Sequence, residues 1–306
     1  PAPPPEAKAE SAPRQSLCVY SDLHTFCYSW YGSQRWYIHW DHIMAPHWDP
    51  MISASYACGR HSPPHPHDLG SSFYLELGPY GSWDPDVLWE HMTQLKEAAI
   101  STLVLFWYPP GMAHDNGDPS DDLVPAILDT AHQYNIQAIV GASPYNGWDD
   151  IIQHDNIKYI IDTYGSGTFY CYKNNIGKSL LLFYISTTHT NPEAWAHLLT
   201  PNGLHSISNT SYNGVFIALL VEEGHTHNIL ATGFHGMYTY FAPMVFPLDS
   251  SHQNWKAVKN FCDSNNLKFI PSVGPGYIDT SIQPWNNHNT QNRVNGKYYE
   301  TALQAA

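Results

Sequence analysis

Short apolar runs recur along this chain, and most of them end in aromatic or polar residues. The runs begin at Leu103, Ile136, Leu180, Val215 and Leu267. Runs of this kind are typical of strands buried on both faces, as in parallel sheets. Helical patterns lie between most of the runs, so strands alternate with crossover helices. The carboxyl ends of such strands meet at one mouth, which is where a (β/α)8 barrel performs its chemistry.

Capping signals set the helix boundaries between the predicted strands. Asp84 is the predicted N-cap of a helix over 87–99, with Pro85 in its first position. The remaining helices are predicted over 123–134, 149–164, 193–199, 226–231, 254–265 and 296–306. With a first strand over 25–30 and another over 236–241, the pattern contains seven strands and stops inside a helix. The predicted fold class is therefore α/β, of the (β/α)8 TIM-barrel type, lacking the eighth strand.

The charge and the aromatic content narrow the class of ligand. The 13 Lys and Arg residues against 27 Asp and Glu give a formal net charge of −14. Because a nucleic-acid binder needs a basic face, a nucleic-acid partner is not expected, and a neutral substrate fits better than an anionic one. The chain has 21 Tyr, 11 Trp and 19 His. This enrichment favours a sugar-binding cleft, in which sugar faces stack on rings; the alternative is that the rings fill the barrel core.

The first residues differ in composition from the rest of the chain. Residues 1–16 are rich in Pro, Ala and Glu, which predicts a disordered stalk before a barrel domain over 17–306. No apolar stretch of about 20 residues predicts a membrane span, and no charged-then-apolar leader is present. Since the chain begins with Pro1, we expect membrane attachment only through an anchor upstream of it. The five cysteines are scattered and form no CxxC pair, so neither a zinc site nor a dense disulfide framework is predicted.

Two pairs of residues at predicted strand ends point to chemistry. Trp107 and Tyr108, followed by two prolines, are predicted to form a rigid platform for sugar stacking, with plain core packing as the alternative. Glu222 and Glu223 end another strand. Adjacent residues of a strand point to opposite faces, so this pair cannot be the two facing carboxylates of a glycosidase.

Other polar clusters give only weak signals. The histidines over 39–49 lack a specific metal-ligand spacing, and the acidic residues over 115–122 lack the EF-hand spacing. Turn formation and helix capping are the stronger interpretation for Asp121 and Asp122. No phosphate-binding glycine loop and no nucleophile elbow are present, so neither a metal nor a cofactor is predicted.

A set of motifs extends from about Phe26 to the last residue. They are His39-Trp-Asp-His42, Gly59-Arg-His-Ser-Pro-Pro64, Gly70-Ser-Ser-Phe73, Trp107-Tyr-Pro-Pro110, Asp121-Asp-Leu-Val-Pro125, Lys158-Tyr-Ile-Ile-Asp162, Val215-Phe-Ile-Ala-Leu-Leu-Val-Glu-Glu223, Ser251-His-Gln-Asn-Trp255 and Phe269-Ile-Pro-Ser-Val-Gly-Pro-Gly-Tyr-Ile-Asp-Thr280. Together they resemble the endo-α-1,2-mannosidases of glycoside hydrolase family 99. The resemblance implies a (β/α)8 barrel that trims glucosylated mannose from N-glycans in the Golgi lumen, with retention of configuration and without a catalytic metal. It also implies an N-terminal membrane anchor followed by a stalk.

The same resemblance implies which residues bind the sugar and which catalytic residues of the family are absent from this sequence. The binding residues are Tyr31, His39, Asp41, Trp107, Tyr108, Tyr145, Tyr240, Tyr277 and Asp279. The family's catalytic carboxylates lie in an Asn-Glu-Trp-His-Glu motif on the eighth strand, which implies a position beyond Ala306. Ser143 stands where the family has an active-site acid, and His235 stands where it has Asp. No catalytic residue is therefore predicted within this sequence, and the 306 residues alone are expected to be inactive.

Two hypotheses remain at this point. The first is a truncated glycosidase of the endo-α-1,2-mannosidase type. The second is a non-catalytic glycan-binding remnant, or a poorly folded fragment of a decayed gene copy. The second is favoured by six positions at which the family pattern has Arg and this chain has a residue one base change from an Arg codon: Trp83, Trp148, Cys171, Ser208, Gln283 and Gln291.

Overall fold

The structure is a computed structural model of the chain. It describes residues 23–32, 40, 51, 54, 69–112, 121–142, 145, 149–165, 171–173, 179–186, 191–221, 224–240, 252–278, 280 and 290–306. The predicted stalk over 1–16 and the strand end at Glu222 and Glu223 lie outside these residues.

A single sheet forms the centre of the structure. Its strands are β1 (His24–Cys27), β2 (Thr102–Trp107), β3 (Gln137–Ala142), β4 (Cys171–Lys173), β5 (Ser179–Ile185), β6 (Gly214–Leu220), β7 (Gly236–Thr239) and β8 (Lys268–Ile270). The strand order is β1-β2-β3-β5-β6-β7-β8, and all neighbours in it are parallel. The short strand β4 pairs only with β5, in the antiparallel direction. The predicted set of seven parallel strands is confirmed.

Helices connect the strands, as parallel neighbours require. They are α1 (Pro85–Glu97), α2 (Val124–Gln133), α3 (Asp150–Tyr164), α4 (Pro192–Leu199), α5 (His225–Ala231), α6 (His252–Ser264) and α7 (Lys297–Ala305). Asp84 caps α1 by accepting the backbone N–H of Asp86, and Pro85 is the first helical residue, both as predicted. No helix in the described part of the chain is long and apolar enough to cross a membrane.

Alternation along the strands separates two apolar layers. On β2, Leu103, Leu105 and Trp107 belong to the larger layer, which lies between the sheet and the helices. Val104 belongs to a second layer inside the curled sheet, together with Tyr184 and Tyr238. Every residue of β6 is buried, because each of its faces meets one of these layers. This explains why the strands appear in the sequence as continuous apolar runs.

The sheet is curled into most of a barrel but leaves a gap between its two ends. The ring of Phe26 on β1 lies 5.9 Å from that of Tyr238 on β7, centroid to centroid, although four strands lie between β1 and β7 in the order. A cavity of about 1090 Å³ extends along β1 and β8, and Tyr299 and Leu303 of α7 line its outer side. This gap is where the eighth strand of a closed barrel would lie, so the predicted fold, a (β/α)8 barrel lacking its eighth strand, is confirmed.

Candidate active site

All five tyrosines predicted to bind sugar follow the carboxyl ends of parallel strands. We call Tyr31, Tyr108, Tyr145, Tyr240 and Tyr277 the rim tyrosines; they follow β1, β2, β3, β7 and β8 respectively. Because these strands are parallel, their carboxyl ends share one end of the barrel. The rim tyrosines therefore lie around the end of the barrel at which enzymes of this architecture bind their substrates.

Tyr31 is held by reciprocal contacts with the segment that precedes α1. Its backbone N–H donates to Ser82 Oγ at 3.1 Å, and its carbonyl accepts the N–H of Ser82 at 2.7 Å. Its ring stacks on the buried indole of Trp40, with a centroid separation of 4.4 Å. Burial raises the pKa of the Tyr31 phenol, which a hydrogen bond with Trp30 partly offsets. The phenol therefore stays neutral at physiological pH and serves as a hydrogen-bonding group.

Tyr240 meets Tyr28 inside the mouth. Their hydroxyl oxygens are 3.5 Å apart, and the Tyr28 ring stacks on Phe106 with a centroid separation of 4.6 Å. Burial, followed by the proximity of Tyr240, raises the pKa of Tyr28. Tyr28 was not among the predicted site residues. Its position two residues beyond Phe26 on the inward-facing side of the first strand was the available signal.

Trp107 is held in place by contacts with a neighbouring helix. Its side chain is on the helix-facing side of β2, only 2% exposed, and its ring stacks on Tyr159 of α3 at 6.0 Å. The indole Nε1 donates to Asp121 Oδ1 at 2.6 Å. This packing agrees with the alternative interpretation of core packing. Residues alternate between the faces of a strand, and Trp107 shares the helix-facing side of β2 with Leu103 and Leu105. Direct contact of Trp107 with a sugar stays an untested prediction.

Asp121 is the main residue that the sequence analysis did not assign to the site. Turn formation and capping was the interpretation, and Asp121 does begin a 3-10 turn over Asp121–Leu123. Its carboxylate is nevertheless buried and accepts three side-chain hydrogen bonds, from Trp107, Tyr159 and Tyr164. No local sequence signal marks this role, because the donors lie up to 43 positions away along the chain.

Tyr145 is fixed by the helix that follows it. Asn156 of α3 donates from Nδ2 to the Tyr145 hydroxyl at 2.6 Å. Burial raises the pKa of Tyr145, and the hydrogen bond from Asn156 acts in the opposite direction. Asp149 caps α3 by accepting the backbone N–H of Ile152 at 2.8 Å, which sets the start of the helix that carries Asn156.

Tyr277 lies in a two-residue antiparallel bridge. Its N–H donates to the carbonyl of Gln291 at 2.8 Å, and the N–H of Gln291 donates back at 2.7 Å. The bridge carries Arg293 over the ring of Phe73, at 4.1 Å from the guanidinium carbon to the ring centroid. Ser72 adds a hydrogen bond to the carbonyl of Ile278 at 2.8 Å. The segment after β8 is therefore fastened to the segment before α1.

Four predicted positions lie outside the described residues. These are His39, Asp41, Asp279 and Ser143. Among the residues that the structure does describe, no three His, Cys, Asp or Glu side chains converge as metal ligands. Tyr108 is buried, with an exposed fraction of 7%, at the end of β2.

A curled parallel sheet with helices outside it and polar aromatic groups at its carboxyl end defines the TIM-barrel class of enzyme scaffolds. The chain belongs to glycosyl hydrolase family 99, whose model matches residues 18–306. It is similar to the glycoprotein endo-alpha-1,2-mannosidase-like proteins of Mus musculus (77% identity; 98% of this chain and 67% of that protein) and Homo sapiens (78%; 96% and 65%). The glycoprotein endo-alpha-1,2-mannosidase of Mus musculus is 56% identical over 93% of this chain and 62% of its own length.

A solved structure supports the same family. The GH99 endo-alpha-mannosidase from Bacteroides thetaiotaomicron matches with a TM-score of 0.80 and 34% identity, covering 92% of this chain and 80% of that one. The chain spans about two thirds of the length of the curated relatives it matches.

Proposed function

We propose that this chain contributes the barrel of a glycoside hydrolase of the endo-α-mannosidase type, acting on glucosylated mannose of N-glycans. The observation that carries the proposal is the position of the rim tyrosines at the carboxyl end of a family 99 sheet. Neutral phenols suit a neutral ligand, because they donate to and accept from sugar hydroxyls and offer faces for stacking. The formal net charge of −14 also favours a neutral substrate, because it repels an anionic one.

The sugar-binding set that we propose includes the rim tyrosines and Trp107, together with His39, Asp41 and Asp279, which lie outside the described residues. Catalysis itself is assigned to the two carboxylates of the family's eighth strand, which do not belong to this set. The sequence contains no Asn-Glu-Trp-His-Glu motif, and the resemblance implies that Ser143 stands in the place of a family acid. Residues 1–306 alone are therefore proposed to bind the sugar without hydrolysing it, since a glycosidase needs two carboxyl groups across the scissile bond.

The proposed cellular context follows from the family. Residues 1–16 would be a stalk between a membrane anchor and the barrel over 17–306, with the barrel in the Golgi lumen. The names of the relatives, glycoprotein endo-alpha-1,2-mannosidase and its -like protein, support a substrate carried on glycoproteins. Limited proteolysis tests the domain division: the first cut is expected within 1–16, and a first cut inside the barrel would contradict it.

The experiment that tests the function compares two proteins with the same substrate. One is this chain, and the other is this chain extended with the segment of the Mus musculus -like protein that follows the matched region. Hydrolysis of a glucosyl-mannoside is expected only from the extended protein, with saturable binding of the sugar by both. Hydrolysis by the short chain would contradict the assignment of the carboxylates.

A second candidate is a glycan-binding protein without hydrolytic activity. The resemblance implies that Ser143 replaces a family acid, which favours this candidate, because one missing acid or base group lowers the rate by about 10²–10⁴-fold. Saturable sugar binding with no hydrolysis by either protein would select this candidate. Absence of both binding and hydrolysis would exclude both functions.

A further inference from the structure

One buried carboxylate joins three aromatic side chains behind the mouth of the barrel. Asp121 Oδ1 accepts from Trp107 Nε1 at 2.6 Å and from the Tyr164 hydroxyl at 2.9 Å. Asp121 Oδ2 accepts from the Tyr159 hydroxyl at 2.8 Å. The side chain of Asp121 is 6% exposed, and all three donors are neutral. We call these four residues the Asp121 network.

The network is held together by strong hydrogen bonds. A carboxylate that accepts from neutral donors forms shorter and stronger bonds than a neutral acceptor does. Burial, followed by the hydrogen bond to Asp121, raises the pKa of Tyr159. Burial also raises the pKa of Tyr164, so both phenols keep the proton that they donate. The geometry of Asp121 therefore fixes the directions of all three rings.

The donors belong to two elements that each lead to a rim tyrosine. Trp107 is the last residue of β2, and Tyr108 directly follows it. Tyr159 is on α3, three residues after Asn156, which donates to the hydroxyl of Tyr145 at 2.6 Å. Residues three apart on a helix lie on the same side of it, so the network and the Tyr145 contact use one side of α3. The Asp121 carboxylate is thus linked to Tyr108 through Trp107 and to Tyr145 through α3.

We propose that Asp121 is a positioning residue for the sugar site, which sets the places of Tyr108 and Tyr145 through Trp107 and α3 without touching the sugar. The consequence for sugar binding rests on the function proposed above, whereas the consequence for the two rings does not. Asp121→Ala removes the acceptor from the buried indole of Trp107 and from the half-buried phenols of Tyr159 and Tyr164, and so loosens Tyr108 and Tyr145. Asn156→Ala removes only the hydrogen bond to the Tyr145 hydroxyl and leaves the Asp121 network in place.

The first test follows the rings directly and needs no sugar. The chain is labelled with 3-fluorotyrosine, and the 19F resonances of Tyr108 and Tyr145 are assigned with Phe substitutions at each position. Asp121→Ala is expected to shift or broaden both resonances, while the resonance of Tyr299, on α7, stays in place. Asn156→Ala is expected to change the Tyr145 resonance only. Unchanged Tyr108 and Tyr145 resonances in folded Asp121→Ala would overturn the proposal.

Two control variants separate positioning from general stability. Asp122→Ala removes the same charge from the neighbouring exposed residue and is expected to leave both resonances unchanged. Phe234→Leu weakens a buried contact with Trp195 away from the mouth, so it lowers the melting temperature without touching the network. Asp121→Asn keeps an acceptor oxygen for Trp107 and Tyr164 and an amide that donates to the Tyr159 hydroxyl. Asp121→Asn is therefore expected to fold and to show the Tyr108 and Tyr145 resonances of the unsubstituted chain, even if Asp121→Ala does not fold.

The second test measures the dissociation constant of a glucosyl-mannoside for the same variants. Asp121→Ala is expected to raise it roughly tenfold, which corresponds to the loss of about one hydrogen bond between the displaced tyrosines and the sugar. Asp122→Ala and Phe234→Leu are expected to bind as the unsubstituted chain does. Equal weakening by Phe234→Leu would overturn the proposal. An unsubstituted chain that binds no sugar would overturn the proposed function instead, and the ring resonances would still decide the role of Asp121.

Discussion

His24 and Tyr184 meet across the interior of the curled sheet, where His24 Nδ1 lies 2.8 Å from the Tyr184 hydroxyl. The two residues belong to β1 and β5, which have β2 and β3 between them in the strand order. A hydrogen bond between them therefore exists only because the sheet is curled. It lies at the start of β1, beside the gap between the first and last strands, where Tyr184 also lines the cavity.

Replacing Tyr184 with Phe tests the contribution of this contact. Tyr184 is 1% exposed, so the substitution leaves His24 without this buried partner and is expected to lower the free energy of unfolding by about 1–3 kcal/mol. Urea unfolding followed by circular dichroism gives the value. The matched control is Tyr299→Phe on α7, where the side chain is 38% exposed and the expected change is small. Equal stabilities of the two variants would contradict the role assigned to the contact.

The N-cap of α3 provides a second test. Asp149→Ala removes the acceptor for the Ile152 N–H and is expected to destabilise the chain by about 1 kcal/mol. Asp149→Asn keeps an acceptor oxygen at the same place and is expected to stay close to the unsubstituted chain. Thermal unfolding of the three proteins under identical conditions is the measurement. A loss in Asp149→Asn as large as that in Asp149→Ala would show that charge, and not capping, dominates.

A pH dependence is expected from the contacts of Asp150. Its Oδ2 lies 2.8 Å from His205 Nδ1 and 3.1 Å from His197 Nδ1. The hydrogen bond with His205 has the largest effect and lowers the pKa of Asp150. Burial acts in the opposite direction, and the hydrogen bond with His197 lowers the pKa further. Because the folded pKa is below the unfolded value of about 3.9, ionised Asp150 stabilises the fold above that pH. The stabilisation is lost as the pH falls from about 4 toward the folded pKa.

Asp150→Asn is therefore expected to be less stable than the unsubstituted chain at pH 7, with a difference that shrinks below about pH 4. Free energies of unfolding in urea at several pH values between 3 and 7 give the difference. Asp155→Asn serves as the control, since Asp155 is 73% exposed and its pair with His154 is solvated. A difference that grows on acidification would refute the assignment.

Gly276 is required by close approach as well as by backbone conformation. Its φ is +145°, and a Cβ there would lie 2.8 Å from both Arg293 Cγ and the carbonyl oxygen of Gln291. Gly276→Ala is expected to cost about 1–3 kcal/mol and to open the bridge between Tyr277 and Gln291. Faster hydrogen exchange at the Gln291 amide is the direct readout. Gly224→Ala is the control, because φ is −61° and nothing lies within 4 Å of the added carbon.

The thiols of Cys27 and Cys262 are expected to resist alkylation in the folded chain. Burial raises the pKa of Cys27 to about 12 and that of Cys262 to about 11, so the reactive thiolate is scarce at pH 8. Mass spectrometry after treatment with iodoacetamide measures the modified fraction of each peptide. The same peptides in urea are the control and are expected to react at the ordinary rate. Rapid labelling of Cys262 in the native chain would contradict its burial.

The difference between prediction and structure is clearest at β2 and at Asp121. The run from Leu103 to Tyr108 predicted a buried strand, and β2 is one. The run did not reveal which face of the sheet Trp107 would occupy, because both faces of such a strand are apolar. Asp121 was interpreted as a capping residue, and its burial beneath three rings has no local sequence signal. The short antiparallel strand β4 was not predicted, since it depends on pairing with β5.

The sequence by itself determined the alternation of strands and helices, the cap at Asp84, the family and the placing of tyrosines after strand ends. The alternation and the cap are encoded by residues close together in the chain, where side-chain periodicity and capping act, and the family is encoded by short motifs that recur along it. Only the tertiary structure decided the side on which Trp107 packs, the partners of Asp121 and the meeting of His24 with Tyr184. Those partners are 14, 38, 43 and 160 positions apart, so the curl of the sheet must form before their contacts exist.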